Sequence, residues 1–198
     1  MFERLINLNG HLFIIMDKNK LKWTEVERRL LQFLFIYPTT SFRGRELARH
    51  LKVSPTSISN AVKRLVRKEL VVSSKDVFLS VKLNRENSNS FELKRLDNLL
   101  NIYESRLLGF LSKNSIGSTI VLFGSYSFGE DIETSDIDIF LIGGSKPVNL
   151  EEELSKFEIN SKIKRKINLE YAKELKNLKE TLRESVVNGI VLKGALQL

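Results

Sequence analysis

Residues 121–142, VLFGSYSFGEDIETSDIDIFLI, constrain this chain more than any other stretch. An apolar run ends in Gly124-Ser125, ten residues follow, and then Asp136 and Asp138 alternate with Ile137, Ile139 and Leu141. Alternation of this kind is the period of a strand, in which residues i and i+2 share a face. The two carboxylates therefore sit side by side, while Ile137 and Ile139 turn toward a core. Close carboxylates repel each other unless a proton or a cation lies between them. Mg²⁺ is commonly held by one or two carboxylates together with substrate phosphates. The Gly-Ser turn just upstream suits those phosphates, because Gly lets the backbone approach and Ser125 offers an N–H and a hydroxyl. Each half alone has a plain structural explanation, a strand-end turn or exposed acids on a half-buried strand. Their combination at this spacing is what points to a metal and a nucleoside triphosphate meeting here.

The pattern resembles the nucleotidyltransferase superfamily that includes DNA polymerase β, and above all its minimal members. In those families a Gly-Ser pair precedes Asp-x-Asp, and a third carboxylate follows on a later strand. Gly124, Ser125, Asp136 and Asp138 match by type and spacing, and Glu170, in the segment INLEYA at 167–172, is the expected third acid. The resemblance covers residues 114–198 and implies an enzyme with two Mg²⁺ ions and a nucleoside triphosphate, ATP being expected. Asp136 and Asp138 would bind both ions, while Glu170 would bind the second and help remove a proton. The implied reaction is the two-metal displacement at phosphorus, which moves a nucleoside monophosphate to a hydroxyl of a protein or RNA and releases pyrophosphate. Some minimal members are antitoxins that modify a partner toxin, and they share this spacing. A template-directed polymerase is not expected, since 28 residues follow Glu170 in this sequence.

The net charge of +8 is unevenly placed. Residues 41–82 hold ten Lys/Arg against three acids, an excess of seven, which is the electrostatic footprint of a nucleic-acid binder. The same window has a readable order. Residues 24–37 have helical periodicity, with Val26, Leu30, Leu31, Leu34 and Phe35 on one side, and Pro38 ends them. A second helix is expected over 42–51, capped by Ser41, with Leu47, Ala48 and Leu51 inward. Lys52-Val53 makes a tight turn. Ser54 caps a third helix with Pro55 at its first position and Ile58, Val62, Leu65 and Val66 as its apolar stripe. Strands at 71–72 and 77–83 follow.

This order resembles a winged helix-turn-helix, carried by ELARHLKVSPTSISNAVKRLVRKELV. The resemblance implies that Ala48 lies where two helices cross and that Val53 plugs the turn. Thr56, Ser57, Ser59, Asn60, Lys63 and Arg64 are the residues expected to meet duplex DNA, with Lys75 near the wing tip. A protein-docking role for the same helix is the alternative. Residues 11–16 are read as an added strand. Trp23, Phe33 and Phe35 are read as core or homodimer contacts.

The fold class expected is α+β, with a winged helix-turn-helix over 1–88, a connecting helix over 89–113 and a nucleotidyltransferase-type mixed sheet over 114–198. Residues 85–90, RENSNS, are the expected linker, and 91–111 the long helix, its apolar positions Leu93, Leu96, Leu99, Leu100, Tyr103, Leu107 and Leu108. Strands are expected at 119–123, 136–142, 167–171 and 190–193, and helices at 150–163 and 173–188. The basic run Lys162, Lys164, Arg165 and Lys166 reads as a solvated face. The absence of cysteine excludes disulfides and thiolate metal sites. His11 and His50 lie too far apart in sequence to suggest a ligand pair. No signal peptide is evident, and the apolar stretch at 30–37 is too short to span a bilayer, so a cytoplasmic protein without a membrane partner is expected. A rival from another class is a transcription regulator, in which the nucleotidyltransferase fold binds nucleotide or a partner without turnover.

Overall fold

The computed structural model describes residues 6–8, 11–13, 23–75, 78–144, 152–155, 157 and 165–196. Contacts divide the chain into two units, 1–94 and 95–198. No helix among the described residues is long and apolar enough to cross a membrane.

In the first unit, Ile6–Leu8 (β1) pairs antiparallel with His11–Phe13 (β2) in a sheet of their own, and residues 14–16 lie outside the described residues. The helix Glu25–Ile36 (α1) begins at a reciprocal cap, in which the Glu27 amide donates to Thr24 Oγ1 at 3.3 Å and the Thr24 amide donates to Glu27 Oε2 at 2.6 Å. The second helix starts later than its sequence suggests. Phe42–Arg43 is a short strand (β3) paired with Val81 and Ser80, and the helix is Gly44–Leu51 (α2). Burying Phe42 against the sheet and core wins over local helical preference. Helix α2 closes with Lys52 in the left-handed region (φ 51), with the Val53 amide bonded back to the Ala48 carbonyl at 3.0 Å.

Ser54 then caps Pro55–Arg67 (α3), accepting from the Ser57 amide at 3.1 Å. Its inner face is Ile58, Ala61, Val62 and Leu65; Val66, expected inside, is exposed. Val71–Lys75 (β4) and Leu79–Leu83 (β5) form the hairpin, and the three-stranded order β3-β5-β4 completes a winged helix. One core joins α1, α2, α3 and this sheet, with Trp23 and Phe33 packed at its edge and Phe35 inside it.

The expected linker is ordered. Ser88–Glu104 forms α4, which includes the Ser/Asn stretch, and Ser90 is buried. The long helix expected over 91–111 is broken at Ser105-Arg106, where Arg106 takes a positive φ of 65°, and Leu107–Asn114 forms α5. Ile102, Leu107 and Leu111 are the fully buried apolar positions. Leu96, Leu100 and Tyr103, expected inside, are about half exposed.

The second unit is built on a four-stranded sheet. Thr119–Phe123 (β6) leads into a single-turn helix, Gly124–Phe128 (α6), and Ile137–Ile142 (β7) returns antiparallel to β6. Ile167–Ala172 (β8) runs parallel to β7, and Ile190–Lys193 (β9) pairs antiparallel with β6. The order is β8-β7-β6-β9. A 3₁₀ turn at Leu175–Asn177 precedes Glu180–Val187 (α7), so the single helix expected over 173–188 is two shorter pieces. One face of the sheet packs Ile120, Leu122, Ile137, Ile139 and Leu141 against α5 and Ile102. The other packs Val121, Phe123 and Phe140 against Leu175 and Val186.

Candidate functional site

The sheet register builds the site. Phe123 lies opposite Asp138 in the antiparallel β6–β7 pair, so the Gly124-Ser125 turn that follows Phe123 begins beside the aspartates. Gly124 has φ +69, and a Cβ on it would meet Asp138 Oδ2 at 2.6 Å. Only Gly combines that backbone angle with that closeness. Ile137 and Ile139 are buried on the opposite face, so Asp136 and Asp138 share the other, and both are partly exposed at the end of the Phe123–Phe140 layer.

The third position is the surprise. In the parallel β7–β8 pair Asp138 lies opposite Asn168, and Glu170 opposite Phe140. Asn168 Nδ2 donates to Asp136 Oδ2 at 3.0 Å and to Asp138 Oδ1 at 3.1 Å. Glu170 is exposed and stands two residues farther along the edge strand, about 6–7 Å beyond Asn168. Among the described residues no three His, Cys, Asp or Glu side chains gather where they could hold a metal. Glu170, expected to join the aspartates, lies two positions along the strand from the side chain that bonds the pair, which is the amide of Asn168. Nothing within the sequence marked Asn168 for this place: it meets Asp138 through the parallel register of β7 and β8, which the strands' own residues do not specify.

The loop between the turn and the aspartates is fixed by groups that sequence reading passed over. Asp131 is 1% exposed and pairs with Arg165 at 2.9 Å, while accepting from Asn98 Nδ2 at 2.8 Å. Asn98 Nδ2 also reaches the Tyr126 carbonyl. Arg165 donates to the carbonyls of Ile132 and Ser135 and lies over the Tyr126 ring. Burial, and then the Asp131 charge, push the Tyr126 hydroxyl pKa upward, so it stays protonated. Arg165, read from sequence as part of a solvated face, is thus a mostly buried clasp; Lys162 and Lys164 lie outside the described residues. The clasp runs from Arg165, two residues before β8, to Ser135, the residue before Asp136.

In the first unit α3 exposes Thr56, Asn60 and Lys63, while Ser57 and Ser59 are half-buried. The Ser57 hydroxyl is engaged with Ser54 Oγ at 2.9 Å. Arg64 is committed inward as well: its Nε donates to Glu27 Oε1 at 2.5 Å, and Glu27 is 2% exposed. Burial alone would raise the Glu27 pKa. The bonds from Thr24 and Arg64 outweigh it and hold that pKa below the ordinary carboxylate value. Lys75 ends strand β4, and the turn residues 76–77 lie outside the described residues.

Comparison with known proteins agrees with both halves. Residues 106–196 match the family model described as Polymerase beta, Nucleotidyltransferase. Residues 23–77 match that of the MarR family. The C-terminal part is thus a domain of the nucleotidyltransferase kind, and the N-terminal part is a MarR-type winged helix. No curated protein matches the sequence. Among solved structures, the adhesin competence repressor of Streptococcus pyogenes is similar at 22% identity and TM-score 0.33, over 48% of this chain and 73% of that one. A variant of Lactococcus lactis ZitR is similar at 19% and 0.36, over 51% and 69%. A structure titled as a possible transcriptional regulator from Methanosarcina mazei is similar at 18% and 0.34, over 57% and 98%.

The donor set can be weighed against the two Mg²⁺ ions that the domain's kind implies. One ion fits, since Asp136 and Asp138 are the one or two carboxylates that Mg²⁺ uses beside phosphates. A second does not, because no third acid joins the pair among the described residues.

Proposed function

We propose that this protein binds duplex DNA through its winged helix and a nucleoside triphosphate, with one divalent cation, through its nucleotidyltransferase-type domain. The observation that carries the nucleotide reading is the contact of Gly124 with Asp138. It brings the Gly124-Ser125 turn beside Asp138, and the Ser125 N–H and hydroxyl are groups that suit phosphate. A bound divalent cation would supply positive charge between these carboxylates and the phosphates. The chain itself contributes Asp136 and Asp138 as oxygen ligands, Gly124 and Ser125 as the phosphate turn, and the Asp131–Arg165 clasp that holds the loop between them. Transfer of AMP to a protein or RNA hydroxyl, expected from the sequence, would draw on a third acid at the pair; among the described residues Glu170 stands opposite Phe140 instead.

The DNA reading rests on the basic excess over 41–82 and on the outward residues Thr56, Asn60 and Lys63. The testing experiment is equilibrium binding of labelled ATP, CTP, GTP and UTP to the full chain with and without Mg²⁺, alongside a duplex DNA titration at two salt concentrations. Mg²⁺-dependent retention of at least one nucleotide, lost in the Asp136→Asn, Asp138→Asn double variant, is the expected result. No retention of any nucleotide would end the nucleotide reading. DNA binding insensitive to salt, or absent at low salt, would end the other.

A further inference from the structure

We propose that Asn168 makes this a one-cation centre, which holds a nucleoside triphosphate without transferring its nucleotidyl group. The inference rests on the nucleotide-binding reading above and adds what the site cannot do. Asn168 lies across the strand pair from Asp138, and its Nδ2 stands 3.0 and 3.1 Å from the two carboxylates. That is the place from which a third acid could reach a metal shared with Asp136 and Asp138. An Asp side chain there would differ from Asn only in carrying an oxygen where Asn carries its NH₂.

The orientation of the amide follows from chemistry. Ionised carboxylates only accept hydrogen bonds, so the NH₂ must face them and Oδ1 must face away. The donor then bridges two like charges and offsets part of their repulsion. With a cation at the pair, the same side chain, turned about its last bond, would offer Oδ1 as a ligand. A carboxamide oxygen is a workable ligand for one hard cation. It brings no negative charge to draw in a second. Nor is it basic enough near neutral pH to take a proton from an attacking hydroxyl. Among the described residues no side chain at the pair therefore performs the two tasks of a third acid, and Glu170, opposite the buried Phe140, stands along a different part of the strand.

The test counts Mn²⁺, which takes the same oxygen ligands and is read by electron paramagnetic resonance. Mn²⁺ is titrated into the full chain with a non-hydrolysable ATP analogue. One bound Mn²⁺ per wild-type chain is expected, two in Asn168→Asp, and none in the Asp136→Asn, Asp138→Asn double variant. The Asn168→Asp variant should melt below wild type without cation and rise more on adding Mn²⁺, since its extra charge lacks a bridge. Two ions in the wild type, or only one in a folded Asn168→Asp variant, overturn the proposal. If Asn168→Asp does not fold, the wild-type count decides. No ion in the wild type overturns the nucleotide-binding reading itself, and the inference with it. Label passed from α-labelled ATP to any lysate component by the wild type, but not by the double variant, overturns the inference while leaving that reading standing.

Discussion

Gly124 ties the two halves of the site into one object. Its positive φ already disfavours a side chain, and an added Cβ would fall 2.6 Å from Asp138 Oδ2. Gly124→Ala should destabilise the fold by about 1–3 kcal/mol and remove nucleotide retention, measured by denaturant melts and by the labelled-nucleotide assay. Asp136→Asn with Asp138→Asn should behave differently, losing cation-dependent nucleotide binding with stability held or raised, because the like-charge repulsion disappears. Glu27 is a second residue whose surroundings set its chemistry. Its folded-state pKa lies below the ordinary value of 4.5, so its charge contributes stability above about pH 4.5 that is lost as pH falls through the folded value. Melts across pH should show wild type ahead of Glu27→Gln near neutrality, with the gap closing in acid. A gap that widened in acid would contradict the assignment.

At the scale of elements, helix α3 divides its basic residues between two tasks. Lys63 projects to solvent, whereas Arg64, 45% exposed along its side chain, reaches back to Glu27 at the start of α1. Arg64→Ala should therefore cost about 1–2 kcal/mol of stability, its weakened DNA binding reflecting a loosened helix as much as a lost phosphate contact. The loop from α6 to β7 shows the same economy. Arg165→Met should leave Asp131 buried without its ion pair and lower stability by about 3–5 kcal/mol, read from denaturant midpoints.

At the scale of the whole molecule, the basic helix and the aspartate pair lie in different units. Duplex DNA affinity of the full chain should fall steeply with salt, because each phosphate contact releases counterions. Lys63→Ala should lower affinity across all sequences and reduce the log–log salt slope by about 1. Asp136→Asn should leave that slope unchanged, since it lies in the other unit. Replacing Thr56 and Asn60, which face outward on α3, should blur sequence preference more than bulk affinity.

Much of this was legible in the chain itself. The helix-turn-helix order, the Ser54 cap, the strand alternation around Asp136 and Asp138, and the Gly-Ser turn all follow from local chemistry and short periods. These are properties that residues a few positions apart decide among themselves. The start of α2, the break at Arg106 and the exposure of Leu96 and Leu100 were not local, since each depends on what another element buries. The third side chain at the aspartate pair was the clearest case. An acid at 170 and an amide at 168 lie on one face of one strand. Only the parallel register of β8 on β7, set by packing Ile137, Ile139 and Ile167 into a shared core, decides that Asn168 meets the carboxylates and Glu170 does not. A strand's own sequence fixes which residues share a face, but its register against a neighbour is settled by the tertiary core, because sliding a strand by two residues keeps every face and changes every partner.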